Sequence, residues 1–367
     1  MEKWEAVVIG GGPAGLAGAI EMAKAGARVL VIDENDRPGG QLFKQIHKFF
    51  GSKAHSAGIR GIDIGNRLLK QTKEAGVTVW LGGTVVGLFE GNELSVVKSD
   101  ETGNKSICTV KAERILLSCG GAENSVNFDG WTLPGVMGAG AAQTMINVNR
   151  VLPGKKVLML GSGNVGLIVS YQLMQAGAEV VALVEAADQI GGYGVHAAKV
   201  SRAGVPFYLR HTIIRAEADD EVVSRAIIGE LDGNGKLISG TEKTLAVDTI
   251  CLAVGLRPVI QLTSMTGVKH RFIPELGGWM PEHDQDMETS VPGIYVAGDT
   301  AGVEEANSAM DEGRLAGVSI AQSLGYLTKE QGEKEKKVIR DRLLALRQGP
   351  FGEKRLRAKA RIVEKES

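Results

Sequence analysis

The sequence predicts an α/β fold made of two units built on one plan. Three observations predict it. The order apolar strand, glycine turn, helix, apolar strand occurs once near the N-terminus and again from Lys155. Each copy leads into a stretch of short strands, residues 77–118 after the first and 205–253 after the second. A last segment, "VPGIYVAGDTAG" at 291–302, repeats strand, turn and helix.

The elements follow in order. "WEAVVI" at 4–9 is an apolar run that breaks into glycines, Ala14 to Ala25 reads as a helix closed by Gly26, and "RVLVID" is the next strand. Such continuous apolar runs mark parallel strands covered on both faces. "KKVLML", "GSGNVG", "LIVSYQLMQAG" and "EVVALVE" repeat that order. Between the strands of 77–118 and 205–253 lie polar turns, "DETGNK" and "DGNGK", that suit hairpins. The segment 302–317 reads as a helix whose Glu304 and Glu305 either cap its start or serve in proton transfer, and the tail after Leu327 is dense in Lys, Arg and Glu.

Composition narrows the function. The chain has 367 residues, is 43% hydrophobic and 23% charged, and carries a net charge of −1. That length holds two cores, and that charge favours neither nucleic acid nor a membrane surface as a partner. No apolar run reaches the ~18 residues of a membrane helix. The first residues enter a strand at once, so no signal peptide and a cytoplasmic enzyme are expected. The cysteines are three, Cys108, Cys119 and Cys251, far apart. They form no C-x-x-C, so no metal site is expected, and Cys119 and Cys251 read as buried inert thiols.

The glycine turns carry the chemistry. In Gly10-x-Gly12-x-x-Gly15 the first glycine allows a tight turn, the second lets a pyrophosphate approach the backbone, and the third lets helix and strand pack closely. Pro13 and Ala14 lie where the turn enters the helix, whose free N–H groups suit a phosphate. Asp33, ending the second strand, is placed to accept hydrogen bonds from an adenosine ribose. The second copy is Gly161-x-Gly163-x-x-Gly166, with Asn164 and Val165 inside it and Glu185 as its acid. A carboxylate there suits a free 2′-hydroxyl and repels a 2′-phosphate, and no Arg follows in "EAADQ", which favours NAD over NADP. No Ser/His/Asp set is evident, so no catalytic residue is assigned. Lys44 to Arg60 is rich in basic and imidazole side chains, His47 and His55 among them, and reads either as a solvated cover over the cofactor or as an anion site.

At these residues the chain resembles the two-dinucleotide flavoprotein family that includes thioredoxin reductase. "PGGQL" at Pro38 to Leu42 is similar to the loop running along the FAD, "GIYVAGD" at Gly293 to Asp299 to the second FAD motif, and "AVGLRP" at Ala253 to Pro258 to the turn closing the NAD domain. The resemblance implies two Rossmann-like domains, with FAD held by Gly10, Gly12, Pro13, Ala14, Gly15, Asp33, Gly40, Gln41, Gly120, Gly298 and Asp299. It implies NAD held by Gly161, Gly163, Asn164, Val165, Gly166, Glu185 and Gly255. The FAD domain is then discontinuous, 1–122 and 266–328, around an NAD domain at 123–265 and before a charged tail at 329–367. Where thioredoxin reductase carries C-x-x-C, this chain reads Met137 to Ala142 without a thiol, so disulfide reduction is not expected.

"FDGWTLPGVMGAGAAQ", "ELGGWMP" and "DMETSVPGIYVAGD" resemble the FAD/NAD subunit of multi-subunit amine, amino-acid and opine dehydrogenases, the group of hydrogen cyanide synthase and heterotetrameric sarcosine oxidase. "QLFKQIHKFFGS" is also similar to proteins related to anaerobic glycerol-3-phosphate dehydrogenase. The resemblance implies electron transfer between NAD(H) and FAD beside a partner flavoprotein or iron–sulfur subunit, with a small-molecule redox substrate. Many relatives carry a cysteine-rich 2Fe–2S module, whereas no cysteine follows Cys251 here. The alternatives are a non-catalytic cofactor-binding scaffold subunit and a stand-alone NADH-dependent flavin reductase. The tail 329–367 has thirteen Lys or Arg against seven Asp or Glu, with Val338, Ile339, Leu343, Leu344 and Leu346 at helix-like spacing. It is expected to dock a partner subunit.

Overall fold

A computed structural model of the chain describes residues 1–49, 53, 56–99, 102–349 and 352–363. In chain order the elements are β1 (Glu2–Ile9), α1 (Pro13–Ala25), β2 (Val29–Ile32), α2 (Gly61–Glu74), β3 (Thr78–Trp80), β4 (Gly83–Phe89), β5 (Glu93–Ser99), β6 (Lys105–Leu117), β7 (Gly121–Glu123), β8 (Val136–Gly138), α3 (Ala139–Thr144), β9 (Lys156–Leu160), α4 (Asn164–Gln175), β10 (Glu179–Glu185), α5 (Gly194–Arg202), β11 (Phe207–Leu209), β12 (His211–Asp219), β13 (Val222–Glu230), β14 (Lys243–Ala246), β15 (Thr249–Leu252), β16 (Leu256–Pro258), α6 (Gln261–Ser264), β17 (His270–Ile273), β18 (Gly278–Pro281), β19 (Ile294–Val296), α7 (Ala306–Ser323), α8 (Lys329–Leu346) and α9 (Glu353–Val363). They group into two units, Met1–Ala122 with Arg257–Ser367, and Glu123–Leu256. The chain re-enters the first unit at Arg257, ahead of residue 266, and the segment after Lys329 belongs to that unit too.

In the first unit β3, β2, β1, β6 and β19 run parallel, and the sheet is extended by β5, antiparallel to β6, and by β4, antiparallel to β5. Both faces of the parallel part are covered, so β2 and residues 6–9 of β1 are buried throughout. Helix α7 packs on α1 almost backbone to backbone. A Cβ at Gly313 would stand 2.0 Å from the Ala14 carbonyl oxygen, and one at Gly317 2.5 Å from that of Gly18. That closeness ties the "GRLAG" helix to the helix of the first glycine turn.

The second unit repeats the plan at smaller size. A five-stranded parallel sheet runs β11-β10-β9-β15-β8, and β12, β13 and β14 form a separate antiparallel sheet. The "DGNGK" turn is closed by Asp232, whose Oδ1 accepts the N–H groups of Asn234 and Lys236 at 2.8 and 2.9 Å.

The tail departs from the expectation of a partner-docking stripe. It folds on its own unit. Thr328 and Gln331 form a capping box that starts α8. Ile339 and Leu343 are buried in the core of the first unit, and Ala358 and Ile362 of α9 are buried with Ile273, Leu276 and Met280. Val338 and Leu344 alone of the expected stripe are exposed, at 55% and 46%, with Leu346 half-buried. The physical reason lies in α7, whose buried Asp311 and Glu312 take up cations from the tail: Arg342 on Asp311, and Arg347 and Lys359 on Glu312.

Candidate functional site

Each unit places its glycine turn at the C-terminal end of a parallel strand, β1 in the first unit and β9 in the second. The three glycines of each turn differ in their surroundings. Gly10 has φ +99°, and a Cβ there would meet the Ser118 carbonyl oxygen at 2.3 Å; a Cβ at Gly15 would meet the Gly10 carbonyl oxygen at 2.0 Å. Gly12, between them, has nothing within 4 Å of where a Cβ would be. The second unit matches. Gly161 has φ +104° and would meet Ala253 at 2.3 Å, Gly166 would meet Gly161 at 2.1 Å, and Gly163 has nothing within 4 Å. The outer glycines are fixed by close backbone approach, and the middle ones face open space. Gly12 and Gly163 are also the N-caps of α1 and α4, and no side chain caps either helix. Pro13 takes the first turn of α1, where its missing N–H costs nothing. The first-turn N–H groups of both helices therefore lie beside an open glycine face, which fits a pyrophosphate.

The acids occupy equivalent positions. Asp33 Oδ2 accepts the Gly11 N–H at 2.6 Å and Oδ1 the Asn35 N–H at 2.9 Å. Glu185 Oε2 accepts the Ser162 N–H at 2.8 Å and Oε1 the Ala187 N–H at 2.9 Å. Each carboxylate thus reaches back to the residue after the first glycine and forward two residues. These contacts hold each turn shut.

The remaining expected residues gather on their own units. Gly40 lies over Gly12, since its Cβ would stand 2.9 Å from the Gly12 Cα, and Gln41 beside it is exposed. A Cβ at Gly298 would stand 2.9 Å from that of Ala14, so the second motif meets the start of α1. Gly120 has φ +78° with open space at its Cβ position, and its N–H reaches Thr300 Oγ1 at 3.0 Å. Asp299 Oδ1 takes the Glu304 N–H at 3.4 Å, and burial pushes its carboxyl up to about 6. On the second unit Asn164 Oδ1 accepts the Tyr193 N–H at 2.9 Å, Val165 is 41% exposed, and Gly255 has φ +103°. His47 stacks on Phe49, and His55 lies outside the described residues.

Several residues of the site carried no signal in the local sequence. Ser118, just past β6, places Oγ 3.0 and 2.9 Å from the carbonyl oxygens of Ile9 and Gly10, which share its one hydroxyl hydrogen, and so closes the first turn from far along the chain. Glu312 Oε2 accepts the Gly298 N–H at 3.1 Å. Burial pushes Glu312 up, but the charges of Lys359 and Arg347 outweigh it and hold it below the usual carboxylate range. Glu304 and Glu305 do not cap α7, whose N-cap has no side-chain hydrogen bond. Glu304 is instead paired with Arg347, Nε to Oε1 at 3.0 Å and Nη2 to Oε2 at 2.6 Å.

The segment Met137 to Ala142 runs from β8 into α3. A carboxylate packs against it: Glu123 Oε1 accepts the Gly140 N–H at 2.6 Å, and a Cβ at Gly138 would stand 2.2 Å from Glu123 Oε2. Cys251 is in register with Met137, wholly buried, and burial followed by the Glu123 charge pushes its thiol up to about 12. Burial does the same to Cys119, also to about 12. All three cysteines are free. Among the described residues no helix is long and apolar enough to cross a membrane.

Comparison with known proteins agrees with this geometry. Residues 4–313 match the family described as pyridine nucleotide-disulphide oxidoreductase. The chain is 29% identical over 343 residues to an opine oxidase subunit of Rhizobium meliloti, covering 89% of this chain and 64% of that one. It is 29% identical over 343 residues to the HcnB subunit of hydrogen cyanide synthase from Pseudomonas aeruginosa, covering 86% and 70%. It thus spans less than two thirds of the opine oxidase subunit's length. Thioredoxin reductase of T. acidophilum has a TM-score of 0.71 at 19% identity, covering 88% of this chain and 99% of that one. L-proline dehydrogenase from P. horikoshii has a TM-score of 0.68 at 23% identity, covering 93% and 59%. These structural likenesses show the fold.

Proposed function

The chain belongs to the pyridine nucleotide-disulphide oxidoreductase family, and from that premise we propose that it moves electrons between NAD(H) and FAD as one subunit of a dehydrogenase for a small amine, amino acid or hydroxy acid. Membership makes it an FAD- and NAD(P)-dependent oxidoreductase. When bound, the two dinucleotides supply hydride exchange between nicotinamide and flavin. In this reading the unit containing Gly10, Gly12, Gly15, Asp33 and Asp299 takes FAD, and the unit containing Gly161, Gly163, Gly166 and Glu185 takes NAD. The chain's own part is to bind each pyrophosphate on an uncapped helix start, to fix each ribose on an anchored acid, and to exclude a 2′-phosphate through the Glu185 charge. The observation that carries the reading is the open face at Gly12 and at Gly163, each beside a carboxylate already locked to its turn. The absence of a thiol from Met137 to Ala142 turns it away from disulfide chemistry. The subunit role is supported by relatives that are themselves named as subunits, of opine oxidase and of hydrogen cyanide synthase.

The test is cofactor content and NADH–dye turnover of the purified protein. It is expected to be yellow, to release FAD on denaturation and to oxidise NADH in preference to NADPH. Replacing Glu185 with Ala is expected to weaken NADH binding about tenfold or more, since a hydrogen bond to a charged group is lost. A colourless protein that cannot be reconstituted with FAD would overturn the reading. Bound FAD without any NADH oxidation would make the chain a scaffold, and equal use of NADPH would overturn the role of Glu185.

A further inference from the structure

The family match ends at residue 313, inside α7, yet the first unit continues into α8 and α9. Two cations from that continuation reach the Gly298–Ala301 turn, one of them through Glu312. Lys359 of α9 is 5% exposed, and its Nζ donates to Glu312 Oε1 at 2.6 Å and to the Ala301 carbonyl oxygen at 3.0 Å. Arg347, just past α8, donates Nη2 to the same Glu312 oxygen at 2.6 Å and forks onto Glu304. The other Glu312 oxygen holds the Gly298 N–H. One buried carboxylate therefore joins the backbone of the Gly298–Ala301 turn to both tail helices, and Lys359 grips the end of that turn a second time. Asp299, Glu304 and Glu312 put three acids around this turn, and the tail brings two cations to meet them. A buried carboxylate stripped of its partner is costly, so the arrangement of Glu312 depends on those cations.

We propose that α8 and α9 are a working part of the flavin site: Arg347 and Lys359 are positioning residues that, through Glu312 and Ala301, set the Gly298–Asp299 turn for FAD, so that FAD binding and docking of the tail are coupled. The proposal rests on the reading of Gly298 and Asp299 as FAD residues. Coupling is reciprocal: whatever the tail adds to FAD affinity, FAD adds to the docking of the tail.

The experiment uses the full-length protein with and without FAD. Flavin fluorescence titration gives the FAD Kd of wild type, Arg347→Met, Lys359→Met, Lys359→Arg, Asp299→Ala and Arg355→Met, with the apo thermal transition measured for each. Arg355 serves as control because its partner Glu305 is exposed and lies outside the network. Arg347→Met and Lys359→Met are expected to weaken FAD about tenfold or more at temperatures where the apo variants remain folded. Lys359→Arg, which keeps the charge, is expected to recover most of that loss, and Arg355→Met to bind as wild type. In wild type, FAD is expected to slow tryptic cleavage within residues 329–363 about tenfold or more. Folded Arg347 and Lys359 variants that bind FAD like wild type, while Asp299→Ala binds weakly, would overturn the inference and spare the reading of the turn. If Asp299→Ala also binds like wild type, that reading falls and the inference with it. Should the Met variants not fold, tail cleavage that is indifferent to FAD in wild type overturns the coupling by itself.

Discussion

Gly163 and Gly166 are three residues apart in one turn, and the same substitution should have opposite consequences at the two. A methyl at Gly166 would sit 2.1 Å from the Gly161 carbonyl oxygen, far inside contact distance, so strand and helix must separate. A methyl at Gly163 meets nothing within 4 Å. Gly166→Ala is therefore expected to lower stability by about 1–3 kcal/mol, the range of overpacking in a closed core. Gly163→Ala is expected to leave the thermal transition of the cofactor-free protein within about 0.5 kcal/mol of wild type. On the proposed function it should nevertheless weaken NADH, because the added methyl would fill the space assigned to the pyrophosphate. Thermal melts and NADH titration of the two variants check the pair, and equal loss of stability in both would count against the open face.

At the scale of elements, His283 shows what the packing of the tail does to a single ring. It lies in the loop between β18 and β19, is 7% exposed, and its Nδ1 meets the Asp284 carbonyl oxygen at 2.8 Å. Burial depresses it to about 4; the Lys359 and Arg347 charges act in the same direction, while the Asp284 contact and the Glu312 charge oppose them. The sign follows from where protons bind. Between pH 6.5 and 4 the unfolded chain protonates this histidine and the folded chain does not, so its contribution is complete above pH 6.5 and is lost as pH falls. Asp299 works the other way, since its raised pKa makes the folded form the better proton binder between about pH 6 and pH 3.8. A comparison of His283→Gln with wild type isolates the first effect. The variant is expected to lose less stability between pH 7 and 4.5, by about 2–3 kcal/mol. Urea unfolding at the two pH values measures it, and parallel losses would show that His283 is not held neutral.

For the whole molecule, the disulphide chemistry in the family's name finds no dithiol between Met137 and Ala142. The segment from Met137 to Ala142 has no sulfhydryl, Glu123 fills the space before α3, and the thiols of Cys119 and Cys251 stand near pH 12, where thiolate is negligible at neutral pH. Replacing all three cysteines with Ser or Ala is expected to leave NADH–dye turnover within about twofold of wild type, apart from any packing loss at the wholly buried Cys251. Wild type is expected to show no turnover of a dithiol-reducible substrate. Disulfide reduction that disappears with Cys119 would show that this thiol is reactive after all.

The sequence by itself determined the two-unit α/β plan, the glycine turns and the two acids, because each is a local pattern: a strand period, a fixed glycine spacing, a carboxylate at a strand end. It also excluded the dithiol, since a missing residue type needs no coordinates. Tertiary structure alone decided the rest. The closure of the first turn by Ser118, the joining of Gly298 to Glu312, and the pairing of Glu304 with Arg347 all link residues far apart in the chain. The apolar spacing of the tail was legible, but which surface it covers was not. Spacing tells that a helix has a face to bury, whereas the buried acids of α7 that draw Arg342, Arg347 and Lys359 onto it become neighbours of the tail only when the chain is folded.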